Sequence, residues 1–308
     1  MALPQWNYSQ LPAGVDKQNV APLLAAAFRD AKATPIITRY SVRGAGMTSS
    51  GAIVTGSNHE SKAWSDHCEH VVINNALKKR DDPIEMMAII AGEPGIVATP
   101  CGRCRDHLKE YVPEGCYIIS ASPEGGEVKA VPLREYYFNS FENFKVDLSL
   151  PGLREAFFAY QKSFDPFENN TPPEIVYGAA LLTRGGIYSA GFIGDLILDT
   201  KLPIANASSQ HHFGEGSNRF NVQSLVLASR NPIIPLYRDR QQLTNLVDSL
   251  RATGIREEPI PVIMVRTDGR TILGSWRTDS DEWMPHPFSA RNLGLADVIK
   301  REMRKVTG

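Results

Sequence analysis

Asp66-His67-Cys68-Glu69-His70 and, further along, Pro100-Cys101-Gly102-Arg103-Cys104 are the two runs whose reading decides the fold. Cys101 and Cys104 stand three apart at the start of a predicted helix, so both sulfurs face one point. His67 completes three ligands and leaves a fourth tetrahedral position open, which is the layout of a catalytic rather than a structural zinc site. Glu69 lies two residues past the imidazole, on the first turn of a second predicted helix. Other uses of these residues are a redox pair, as a lone Cys-x-x-Cys can be, or a closed zinc site with Cys68 or His70 as fourth ligand. His67 is preferred over Cys68 as the ligand because only His67 leaves Glu69 at the second position beyond it. Cys116, in the apolar run Cys116-Tyr117-Ile118-Ile119, reads as an ordinary buried strand residue.

His-x-Glu followed by Pro-Cys-x-x-Cys is the signature of zinc-dependent deaminases. In that chemistry the metal lowers the pKa of water from 15.7 to about 7. Glu69 then shuttles protons, taking one from the water, giving it to the ring nitrogen, and later protonating the leaving amine. The Cys101 backbone amide is expected to support the tetrahedral oxygen.

Working outward, the chain has 308 residues, enough for two domains of ordinary size. It is 42% apolar and 22% charged with a net charge of −1, which argues against a nucleic-acid binder. No run of 18 apolar residues predicts a membrane span. The start, Met1-Ala2-Leu3-Pro4-Gln5-Trp6-Asn7-Tyr8, lacks the pattern of a signal peptide. Four cysteines, two of them assigned to metal, suit a reducing cytoplasm. The basic cluster Lys300, Arg301, Arg304 and Lys305 reads as a solvated last helical turn.

Residues 1–20 read as an irregular lead-in and 21–33 as a helix, followed by strands over 36–42 and 51–55. A helix over 67–79, a buried strand over 86–90, a helix over 101–111 and strands over 116–120 and 128–132 complete an α/β sandwich with a mixed sheet. Here the first half, over about 22–145, resembles the cytidine deaminases. Gly56-Ser57-Asn58-His59-Glu60 is similar to the family's Gly-x-Asn-x-Glu run, which implies that Asn58 and Glu60 bind the ribose hydroxyls. Tyr40 falls where the family has a Phe beside the base, and Phe141 falls near the element that closes a neighbouring site. The nine-residue step from Asn58 to His67 is close to that of blasticidin S deaminase. Cys68 replaces the usual Ala and Arg43 the usual Gly, so either is expected to shape the pocket floor.

Residues 153–308 resemble a second, eroded copy. Leu153 to Phe164 matches the first helix, Tyr177 to Leu182 the first strand, and Gly185 to Gly191 the turn and second strand. The sugar-binding pair aligns with Ile193 and Asp195, His67-Cys68-Glu69 with Asn221-Val222-Gln223, and Pro285 to Phe288 keeps the family's Pro-x-x-Phe ending. No Cys follows Cys116, so this copy lacks the zinc site. His211 and His212 read as surface or interface residues.

The resemblance implies a duplicated three-layer α/β/α fold: a catalytic domain over 1–148 and a degenerate one over 149–308. It further implies one Zn²⁺ per chain, a cytoplasmic homodimer, and a free nucleoside substrate, cytidine or deoxycytidine, with neither nucleic acid nor membrane as partner. A modified cytosine nucleoside of the antibiotic type is the nearest rival substrate. A nucleic-acid editor and an inactive scaffold are the other readings.

Overall fold

The structure is a computed structural model that describes residues 2–30, 40–60, 65–78, 82–91, 95, 97–137, 142–163, 176–192, 203–204, 207, 222–231, 233, 235–252 and 256–284. Phe141, Ile193, Asp195, His211, His212, Asn221, the Pro285 to Phe288 run and the basic cluster after Lys300 lie outside them. The chain divides into two compact units, whose longest stretches are Met1–Phe138 and Asn139–Pro285.

In the first unit a five-stranded mixed sheet runs β3-β2-β6-β7-β9, from β2 (Val42–Thr48), β3 (Ile53–Ser57), β6 (Ile84–Ala91), β7 (Tyr117–Ala121) and β9 (Lys129–Pro132). Only β6 and β7 are parallel. On one face lies α1 (Lys17–Arg29), whose Val20, Leu23, Leu24, Ala27 and Phe28 pack on Ala45, Ala88, Ile90 and Ile119. On the other lie α2 (Cys68–Lys78) and α3 (Gly102–Tyr111), whose Val72, Ile73, Ala76 and Leu108 pack on Met87, Ile89 and Ile118. A strand buried on both faces reads as a continuous apolar run, which is why β6 was legible in sequence.

Two expectations shift. The lead-in is irregular only in part: β1 (Gln5–Asn7) pairs with β8 (Gly125–Glu127), and α1 starts at Lys17 because Asp16 accepts from the Gln18 amide at 2.8 Å. Of the strand expected over 36–42, residues 36–39 lie outside the described residues, and β2 begins at Val42. Gly44 and Gly46 make it look like a turn by propensity, yet α2 needs them bare: a Cβ at Gly46 would stand 2.9 Å from Val72, and one at Gly56 2.8 Å from Val71.

The second unit repeats this plan. Its sheet contains β10 (Glu142–Asn143), β11 (Gly178–Thr183), β12 (Ile187–Gly191), β13 (Val222–Ser229), β14 (Pro261–Thr267) and β15 (Ile272–Asp279), in the order β12-β11-β13-β14-β15-β10. From β12 to β15 the pairing directions match those of the first sheet, with β13 and β14 the parallel pair. Even the register shift recurs, at Met47/Thr48 against Ile84 and at Leu182/Thr183 against Val222. One face carries α4 (Leu153–Gln161) and the other α5 (Tyr237–Ala252) with Ile204 and Ala207.

That register corrects the expected alignment. Val222 corresponds to Ile84, so Val222 and Gln223 open the third strand and are not the counterparts of Cys68 and Glu69. Gln223 lies exposed on β13. The helical residues Pro203, Ile204 and Ala207 stand between β12 and β13, as α2 stands between β3 and β6. The division also moves forward from 148/149. β10 pairs with β15, and the Phe144 amide bonds the Ser275 carbonyl at 3.1 Å, so the chain has joined the second sheet by residue 142.

Candidate metal centre and its carboxyl

His67 and Cys101 occupy equivalent places, each just ahead of a helix. The His67 carbonyl accepts from the Val71 amide at 3.2 Å, and that of Cys101 from the Arg105 amide at 2.9 Å. Cys104 follows on the first turn of α3. His67 Nδ1 lies 3.2 Å from each sulfur, and the sulfurs are 3.5 Å apart. Zinc bonds of about 2.0–2.3 Å in tetrahedral array put ligand atoms roughly 3.3–3.8 Å apart, so the three fit one small ion. Among the described residues no fourth ligand atom joins them. Cys68 turns to Glu69, and His70 stacks on His107 with ring centroids 4.4 Å apart, which removes both from the ligand corner.

The electrostatics agree with a cation site. Burial opposes charge on His67, but its hydrogen bond with Cys101 and the negative charge of Cys101 and Glu69 raise it to about 9. The hydrogen bond from Cys104 and that from His67 hold Cys101 well below the usual thiol range, against burial. Burial, then the bond to Cys101, push Cys104 well above it. Two thiols and an imidazole thus gather protons around one point, and the groups that compete for those protons are the ones a metal displaces them from.

Glu69 is 5% exposed, and burial followed by the charge of Cys101 raises its carboxyl. Cys68, fully buried, donates its thiol to Glu69 Oε2 at 3.2 Å. Burial and the neighbouring Glu69 charge keep that thiol well above its ordinary range. His70 is lowered to about 4, first by burial and then by His107, and each of these two rings has a buried Nε2 without a hydrogen-bond partner.

The Asn58 amide is held by backbone. Its Oδ1 accepts from the Val42 amide and its Nδ2 donates to the Tyr40 carbonyl, both at 2.8 Å. One N–H and one lone pair remain. Glu60, half-buried, belongs to β4 (His59–Glu60), which pairs with β5 (Ser65–Asp66); this hairpin accounts for the short step from Asn58 to His67. Tyr40 packs half-buried on the core that contains Cys68. Arg43 faces away from α2: it donates to the Phe28 carbonyl at 2.8 Å and lies over the Phe28 ring, so it closes the last turn of α1. Cys116 is a buried strand-end thiol, pushed by burial to about 12.

Sequence reasoning missed Arg105. Fully buried, it donates Nε to the Pro100 carbonyl at 2.9 Å and Nη1 to the Tyr136 carbonyl at 3.3 Å, with its guanidinium over the Tyr136 ring. Arg240 repeats the clasp, on Pro235 at 2.8 Å and on Trp283 at 3.4 Å. Pro100 to Arg105 therefore corresponds to Pro235 to Arg240, and Cys101 and Cys104 to Leu236 and Asp239. Asp239 accepts from the Tyr177 hydroxyl and from the Ile204 amide, the latter at 3.1 Å. The signal was the shared Pro-x-x-x-x-Arg spacing.

No helix among the described residues is long and apolar enough to cross a membrane. No family model matches the chain. Among solved structures it is similar to a cytidine deaminase from Burkholderia pseudomallei, at 23% identity over 37% of this chain and 91% of that one, with a TM-score of 0.34. The Mycobacterium leprae cytidine deaminase matches at 25% identity, covering 36% and 92%, with a TM-score of 0.31. That of Mycobacterium tuberculosis matches at 27%, covering 34% and 85%, with a TM-score of 0.31. These solved structures, to which this chain is similar over about a third of its length, are cytidine deaminases.

Proposed function

We propose that the protein is a zinc-dependent hydrolytic deaminase of a free aminated pyrimidine nucleoside, turning cytidine or deoxycytidine into the uridine counterpart and ammonia. The observation that carries this is the convergence of His67, Cys101 and Cys104 on one point with the buried carboxyl of Glu69 two residues past the imidazole. Zinc bound there would supply the Lewis acidity that makes a water nucleophilic near neutral pH. Glu69 moves the protons. Raised by burial, its carboxyl takes a proton from the attacking water and passes it to the ring nitrogen beside the carbon under attack; it then takes the second proton from the hydroxyl of the adduct, which becomes the product carbonyl, and gives it to the departing amine. The Cys101 amide, at the start of α3, lies where a helix N-terminus favours negative charge and would support the developing oxyanion.

Asn58, with its amide already oriented by Tyr40 and Val42, offers its remaining N–H and lone pair to a sugar hydroxyl, and Glu60 a second acceptor. Tyr40 would face the base, and Phe141 would close a neighbouring site. The chain works in the cytoplasm as a homodimer holding one zinc in each subunit. The short β4–β5 hairpin favours a second reading, a modified cytosine nucleoside of the antibiotic type. A near-neutral charge disfavours a nucleic-acid editor, and the retention of Glu69 beside the ligand His67 disfavours an inactive scaffold.

The test is a panel of aminated nucleosides and bases scored for ammonia release. Cytidine should exceed free cytosine by a large factor, because a site that pairs buried polar groups with hydroxyls penalises their absence. Equal rates on the two would defeat the sugar assignment, and no ammonia from any member would defeat the deaminase.

A further inference from the structure

Cys68 stands between the ligand His67 and the carboxyl Glu69, as the first residue of α2. Its sulfur is fully buried and hydrogen-bonded to Glu69 Oε2 at 3.2 Å. The space for it is opened by β2. A Cβ built on Gly44 would stand 3.3 Å from Cys68 Sγ, and equally close to Val72 Cγ2 and the Ala88 carbonyl. The sheet is notched where the thiol lies. In the second unit the strand position four before the register shift, where the first has Gly44, holds Ala179.

We propose that Cys68 is a positioning residue for Glu69: its thiol fixes one carboxylate oxygen and leaves the other as the atom that moves protons. The inference rests on the deaminase reading above. A glutamate on the first turn of a helix has three rotatable side-chain bonds. Packing alone restrains the first of these better than the last, which sets the direction of the two oxygens. A donor on one oxygen restrains that last rotation. A thiol is a weak donor in water, but in a buried, low-dielectric place even a weak hydrogen bond directs its acceptor.

The test compares Cys68→Ala with Cys68→Ser in the zinc-loaded full chain. Cys68→Ala should keep one zinc and its KM within about twofold while kcat falls about tenfold, the value of one hydrogen bond lost to a carboxylate. Cys68→Ser, which restores a donor of nearly the same size, should recover most of that loss. Wild-type kcat in the alanine variant overturns the proposal, and so does equal impairment of both variants, which would make the sulfur mere filling. An independent arm needs no turnover. Difference infrared spectra of wild type against Cys68→Ala isolate the Cys68 S–H stretch, and Glu69→Ala should move it to the frequency of a free thiol; an unmoved band also overturns the proposal. If the wild type releases no ammonia, the deaminase reading fails while the infrared arm still decides whether the thiol holds the carboxyl.

Discussion

The two units share a strand order, a register shift and a buried arginine clasp, but they differ at the corner that the clasp encloses. In the first, His67, Cys101 and Cys104 gather around a point fit for a cation. In the second, Asp239 stands at the Cys104 position and is met by the Tyr177 hydroxyl and the Ile204 amide. The second corner closes with hydrogen bonds where the first would close with a metal. The helix faces differ as well. Gly44, Gly46 and Gly56 bring α2 close to the first sheet, whereas Gly178 and Gly191 bring α4 close to the second, where an added Cβ would lie 1.9 Å from the Ala156 carbonyl and 2.2 Å from that of Ala159. Among the described glycines that meet a helix, the first unit has its tightest approach beneath the helix that carries Glu69; the second has it on the opposite face.

Copying the second corner into the first should break the contrast most completely. Cys104→Asp should lose zinc by elemental analysis and all measurable turnover; a variant that keeps both would show that the corner does not depend on its thiolates. The reverse exchange, Leu236→Cys with Asp239→Cys, should leave the zinc content at one per chain, since two thiols without the imidazole do not complete the set.

Glu69→Gln comes next. It should keep the metal and the fold and lower kcat by about 10²–10⁴. Near-normal turnover would reassign the proton shuttle.

The clasps give an intermediate effect that sharpens the likeness. Arg105→Ala and Arg240→Ala each leave two buried carbonyls short of a donor, and each should cost about 2–4 kcal/mol in denaturant unfolding. Only Arg105→Ala should also weaken zinc retention against a chelator. Equal metal loss in both variants would mean that the corner responds to global stability and not to its own loop.

The smallest effect is expected at the notch. Gly44→Ala forces a methyl to 3.3 Å from Cys68 and Val72, and should cost about 1 kcal/mol together with a several-fold loss of kcat. Ala179→Gly should cost about 1 kcal/mol of stability with no change in kcat. A kcat unmoved by Gly44→Ala would uncouple the notch from the carboxyl.

The legible part of this molecule was the part in which chemistry restricts residue type. Cys101 and Cys104, three apart after a Pro, marked the start of α3, and the separate run Asp66 to His70 marked the imidazole and the carboxyl that the structure brings beside them. Val222 and Gln223 were misassigned because the second unit has no ligand to anchor the alignment, and residues entering an apolar strand look much like residues entering an apolar helix. Gly44 and Gly46 concealed the start of β2, since strand propensity disfavours what the close approach of α2 requires. Arg105, the residue after the second thiol, drew no role from the sequence because its carbonyl partners, one of them far along the chain, show only in the fold. Phe141 and the Pro285 to Phe288 run stay with the resemblance that named them.

Arg105 bears on how the metal corner is held. Its bonds to Pro100 and Tyr136 close the loop ahead of α3 using only the chain's own atoms. The loop that presents Cys101 is thus held by the chain's own hydrogen bonds, whereas the folding of small zinc modules waits for the metal. Spacings of 3.2 to 3.5 Å among one nitrogen and two sulfurs suit a compact, thiophilic ion and turn away the larger calcium or the water-clad magnesium that outnumber it in cells. The nitrogen and sulfur donors would set which metal is favoured, and the buried arginine, through the Pro100 carbonyl, holds the loop that presents Cys101.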